Sequence, residues 1–96
     1  MSLTLLTLEK FLTLSECMAA AAQEQEWDDF AQICVARNAH SDELPDDLGT
    51  RLPPAEHARG LTIIERCRQL DATTKALVED RQKSLRVLLR ESGPLT

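Results

Sequence analysis

Two histidines, three cysteines and several adjacent pairs of carboxylates are the residues in this chain whose types could do chemistry. His40 and His57 each lack a second histidine one helical turn away, so neither begins a metal site. Cys17, Cys34 and Cys67 are odd in number, far apart and set among apolar neighbours, which predicts buried reduced thiols rather than a disulfide framework or a zinc site. Asp28/Asp29, Asp46/Asp47 and Glu79/Asp80 are neighbours in sequence. Adjacent side chains on a helix diverge, so these pairs do not converge on one substrate. A di-iron bundle needs inward Glu-x-x-His groups, and none occurs here. No P-loop, dinucleotide fingerprint, HExxH or serine elbow is present either. The chain is expected to be non-enzymatic, with no metal and no cofactor.

Charge narrows the partners. The 96 residues carry a formal net charge of −5, which argues against nucleic acid or an anionic membrane as the main partner. Residues 1–50 hold two basic and ten acidic side chains, whereas residues 51–96 hold nine basic and six acidic. That split favours antiparallel packing of the two halves, although exposed ion pairs contribute little each. The apolar start MSLTLLTLEKFLTL lacks a basic leader and is interrupted by Glu9 and Lys10, so it does not read as a signal peptide. Its apolar runs are too short to span a bilayer. A cytoplasmic protein is expected.

Helices must position whatever this chain presents. Leu8, Phe11, Leu12, Ser15, Met18, Ala19 and Ala22 recur at steps of three and four, predicting a helix over about 3–23. Leu5, Leu6, Leu14 and Ala21 widen its apolar stripe beyond what a solitary surface helix needs. The polar stretch Gln23–Glu26 predicts a bend. Trp27, Phe30, Ala31, Ile33, Cys34 and Val35 mark a second helix over about 26–43, with Asp28 and Asp29 favoured by the free amides of its first turn. Trp27 should cover the junction between the two helices, and Phe11 and Phe30 should serve the core. Leu44–Pro54 gathers proline, glycine and aspartate into a loop, with Leu44, Leu48 and Leu52 tucked inward. A third and longest helix follows over about 55–91, ended by Gly93-Pro94. At 1.5 Å per residue it forms a rod of about 50 Å, longer than either partner helix can cover. The fold class is thus all-α, a small antiparallel bundle of three helices with a long C-terminal helix, in one domain spanning 1–96. Asp71, in mid-helix beside Cys67, Leu70 and Leu77, is either a contact for a basic group or an exposed charge at the stripe's edge.

Two stretches carry a family resemblance. Ala19–Asp28, AAAAQEQEWD, is a small-residue helix end, a bend and a Trp-Asp pair opening the next helix. Ile63–Asp71, IIERCRQLD, has a Leu-Asp pair followed by a leucine-spaced tail. Together they resemble the FliT family of flagellar export chaperones, most sharply at Trp27, Asp28, Leu70 and Asp71. The resemblance implies a cytoplasmic chaperone that binds the C-terminal helical region of the filament cap protein and keeps it export-competent. It also implies contact with the export ATPase and, in some members, with the flagellar transcriptional regulator. The client surface it implies lies on the third helix at Ile63, Leu70, Asp71, Lys75 and Leu77, with apolar contacts at Ile63, Leu70 and Leu77 and a charge pair for Lys75. The alternative is a self-associating helical module. Two departures stand out. The family often places glycine just before Trp-Asp, where this chain has Gln25-Glu26. Its members typically add a fourth helix that folds over the third; none follows Gly93-Pro94 in this sequence, so the third-helix surface is expected to lie open and to favour a homodimer.

Overall fold

The computed structural model describes residues 2–91. Ser2 opens the first helix: its Oγ accepts the Leu5 amide at 3.1 Å, satisfying one of the free N–H groups of a helix start. From there α1 runs Leu3–Gln23, α2 Trp27–Ser41, a single turn α3 Leu48–Arg51, and α4 His57–Glu91, which a 3-10 turn at Pro54–Glu56 leads into. No strand occurs among the described residues. The architecture is a small all-α bundle.

The breadth of the α1 stripe now has its reason. α1 lies between the other two long helices and packs against both. Leu5, Leu8, Ser15, Met18, Ala19, Ala21 and Ala22 are all buried along it. Alanine and serine at these positions let the neighbouring backbones come close, and Ser15, with no exposed surface, returns its hydroxyl to the Phe11 carbonyl at 2.9 Å. α2, by contrast, has no fully buried residue. It lies on α1 as an outer layer.

The connection between α1 and α2 is made without glycine. Glu26 N–H donates to Ala21 O at 2.9 Å and Gln25 N–H to Ala22 O at 3.2 Å, the paired bonds of a Schellman helix end. That motif needs a left-handed residue, and Gln25 supplies it at φ 60°. A side chain there costs energy that glycine would not. Gln25→Gly should therefore stabilise the chain by about 0.5–1 kcal/mol, read as a higher urea midpoint at unchanged m-value.

The segment expected as a plain loop over 44–54 contains the α3 turn and leads into the 3-10 turn. Pro54 opens the latter, where its missing N–H costs nothing. α2 ends at Ser41, two residues before the expected 43, because Glu43 N–H and Leu44 N–H turn back to His40 O and Ser41 O. Leu52 is buried, and Leu44 and Leu48 pack against the same core of Leu5, Leu8, Ile63 and Cys67. Gly60 is what admits Leu52: a Cβ there would stand 2.6 Å from the Leu52 methyl. Close approach, rather than a helix boundary, accounts for this glycine inside α4.

α4 outruns its partners. The molecule is 63 Å long and only 22 by 20 Å across. Every residue from Arg81 to Arg90 is exposed.

Candidate partner-binding surface

The face that α4 turns to α1 is a stripe of alternating steps of four and three. Ile63, Cys67, Leu70, Thr74 and Leu77 are its packed portion, and Ile63, Cys67 and Thr74 are buried. The same steps continue through Arg81, Ser84 and Leu88, with Leu85 beside them. α1, however, ends at Gln23. Beyond that point Leu85, Leu88 and Leu89 are 44%, 58% and 73% exposed. The stripe that folds the bundle thus runs on, uncovered, for about three turns.

Where cover ends, a cavity of about 280 Å³ opens between Ala22, Gln25, Trp27, Leu77, Arg81 and Ser84. Trp27 forms its wall. Its ring meets Phe30 edge to face, with centroids 5.3 Å apart, and the Arg81 guanidinium lies 4.7 Å over it. That cation–π contact ties the start of α2 to α4. Beside it, the Glu26 carboxyl hydrogen-bonds Asp29, and this bond, with the Asp29 charge, holds Glu26 above the ordinary carboxylate range.

A second groove of about 240 Å³ lies between Phe11, the Leu44 and Leu48 side chains, and Ile64, Arg68 and Asp71 of α4. Arg37 closes it. Its Nη2 donates to Asp71 Oδ2 at 2.8 Å, its guanidinium stacks 4.5 Å over Phe11, and its Nη1 contacts Met18 Sδ at 3.7 Å. Asp71 therefore does meet a basic group, one from this chain. Its other oxygen, Oδ1, is buried and accepts no hydrogen bond from the described residues.

The remaining residues singled out above fall into place around these surfaces. Ile63 has no exposed surface and sits under α1, so it is a core residue and does not line either groove; α1 covers it before any partner could. Leu70 and Leu77 are half-buried, and Lys75 is exposed, its Nζ 3.9 Å from Glu79. His40 Nε2 meets Thr7 O at 2.9 Å and His57 Nε2 meets Leu52 O at 2.8 Å, so both rings pin helix ends. Cys17 corrects the expectation of three buried thiols: it is exposed on the outer face of α1, whereas Cys34 is half-buried and Cys67 buried. Burial pushes both the Cys34 and Cys67 thiols up, which disfavours the reactive thiolate. Among the described residues no three His, Cys, Asp or Glu side chains gather as a metal site.

Polar contacts fasten the start of α1 to the entry of α4. Arg59 forks onto Glu9 through bonds of 2.8 and 3.1 Å, and this hydrogen bonding holds the Glu9 carboxyl below its ordinary range. The Ser2 amide donates to Glu56 Oε1 at 2.8 Å and lowers that carboxyl likewise. These contacts leave α1 fixed on α4 at the end opposite the open stripe.

A family model described as "Flagellar protein FliT" matches residues 5–94, nearly the whole chain. The chain belongs to the FliT family. No significant match to a curated protein or to a solved structure accompanies it. In this FliT-family chain the two grooves described are framed by helix and loop side chains. No described helix is long and apolar enough to cross a membrane. The family resemblance implied a client surface on α4. It did not single out Arg37, whose signal was its rarity: Lys10 and Arg37 are the only basic side chains in the first fifty residues.

Proposed function

We propose that this chain is a cytoplasmic flagellar export chaperone that holds the C-terminal helical region of the filament cap protein along α4 and keeps it export-competent. The observation that supports this reading is the uncovered continuation of the α4 stripe through Leu85 and Leu88, in a chain whose family is flagellar. An amphipathic helix laid on that stripe would extend the packing that α1 begins. Burial of apolar surface at about 25 cal/mol per Å² would drive it. Leu70 and Leu77 form the near end of the surface, Asp71 and Lys75 its polar edge, and Leu85, Leu88 and Leu89 its far end. Binding is stoichiometric and involves no bond making, so the protein acts without catalysis.

Titration calorimetry against the C-terminal helical segment of the filament cap protein from the same organism tests this. Saturable 1:1 binding in the micromolar range is expected. Leu85→Asp/Leu88→Asp should weaken it by at least about 100-fold while leaving the helical circular-dichroism spectrum intact, because both residues lie outside the packed core. Absence of binding by the folded wild-type chain would sink the chaperone reading.

A further inference from the structure

α2 is strapped to the bundle by a few specific contacts. No residue of it is buried. Trp27, Cys34, Arg37 and His40, whose side chains reach α1 or α4, are each only half-buried. Arg37 holds Asp71 on α4 at 2.8 Å and stacks on Phe11 of α1. Cys34 Sγ lies 3.5 Å from Met18 Sδ, and His40 Nε2 lies 2.9 Å from Thr7 O. At the other end Arg81 of α4 rests on Trp27. α1 and α4, by contrast, share the enclosed core of Leu5, Leu8, Ile63 and Cys67.

We propose that α2 releases from the α1–α4 hairpin as one unit while that hairpin stays folded, and that its closure governs access to a second apolar stripe on α1. Phe11 and Met18 form that stripe under Arg37, with Leu14 at the helical step between them. Three features support a concerted release. The strap is anchored beyond both its ends, at buried Ala22 and at Leu44 against the core. The corner that turns α1 into α2 is held by Gln25 at φ 60°, a left-handed strain that release relieves. The clasps are spread along the helix, and a helix of 15 residues freed from its partner is marginal in water. Once the clasps open, α2 therefore unravels along its whole length, whereas the core contacts that hold α1 on α4 are untouched.

Native-state hydrogen exchange of the full chain, read by NMR over low urea concentrations, tests this. The α2 amides from Phe30 to His40 should share one protection level. Their exchange should be at least about tenfold faster than that of residues 15–19 in α1 and 63–74 in α4, with a smaller urea dependence, because release exposes less surface than unfolding. Arg37→Ala should speed all of these α2 amides together by about 30-fold, Phe30 included. Arg81→Ala, made on α4 itself, should speed the same set by about fivefold. Exchange of α2, α1 and α4 at one rate and one urea slope would overturn the proposal, since α2 would then leave only when the chain unfolds. A gradient running inward from the ends of α2 would overturn it too, as would an Arg37→Ala effect confined to the amides beside position 37.

Discussion

Replacing Ile63 by alanine should lower stability by about 3 kcal/mol. For a domain of this size that corresponds to a fall in Tm of roughly 12–24 °C. Ile63 has no exposed surface, and Leu5, Leu8, Leu52 and Cys67 enclose it, so removing its outer carbons leaves a cavity that rigid neighbours fill only in part. α1 cannot simply move inward, because Ser15 and Ala19 already hold it at close approach. Thermal unfolding followed by circular dichroism measures the effect. A Tm within a few degrees of wild type would mean that Ile63 is not enclosed as described, and would return it to the partner surface. The neighbouring Leu61 offers the contrast: at 68% exposure its truncation should leave Tm nearly unchanged.

The second large effect concerns Arg37. Its side chain is 17% exposed and holds three unlike groups at once: the Asp71 carboxylate, the Phe11 ring and the Met18 sulfur. Arg37→Ala removes all three contacts and leaves Asp71 with neither oxygen satisfied by the described residues. The full penalty for breaking a buried pair does not apply, because the Asp71 side chain is 44% exposed and water can reach part of it. A loss of about 2 kcal/mol is expected. Urea unfolding of Arg37→Ala, Asp71→Ala and the double variant separates the parts. The double variant should be less destabilised than the sum of the singles, since a carboxylate with no counter-charge is the costly state. Strict additivity would show that the 2.8 Å contact carries no coupling and that the loss is packing alone.

Much of this architecture is legible in the residues because helix period and chain breakers agree. The three- and four-residue steps from Leu8 to Ala22 specify α1, and the excess of leucine and alanine beyond one stripe announces that it is covered on two sides. The loop leucines likewise pointed inward, as Leu52 shows. What was not legible depends on three-dimensional register. Leu61, Ile63 and Ile64 are all apolar, and periodicity alone does not say which one faces α1. Gly60 reads from sequence as a helix weakness, yet its reason is a leucine from the preceding loop. Gln25 occupies a left-handed position that sequence preference assigns to glycine or asparagine, so only the geometry of the Ala21 and Ala22 carbonyls reveals the motif. Of the candidate surface, Asp71 was marked by its setting, but the choice of Arg37 as its partner required knowing how α2 lies on α1.

The overhang of α4 has a thermodynamic consequence of its own. From Arg81 onward the helix is held by its own backbone hydrogen bonds, and an isolated helical segment of this length is marginal in water. The packed segment from Ile63 to Leu77 serves as a ready nucleus, so the tail elongates from an existing helix and never has to initiate one. Its amides should therefore exchange with deuterium in a gradient, slow beside Thr74 and progressively faster towards Arg90. Any helix that docks there consolidates the tail as it binds. Its association should then carry a larger negative heat-capacity change, and a steeper loss of affinity on warming, than two rigid surfaces of the same area would show.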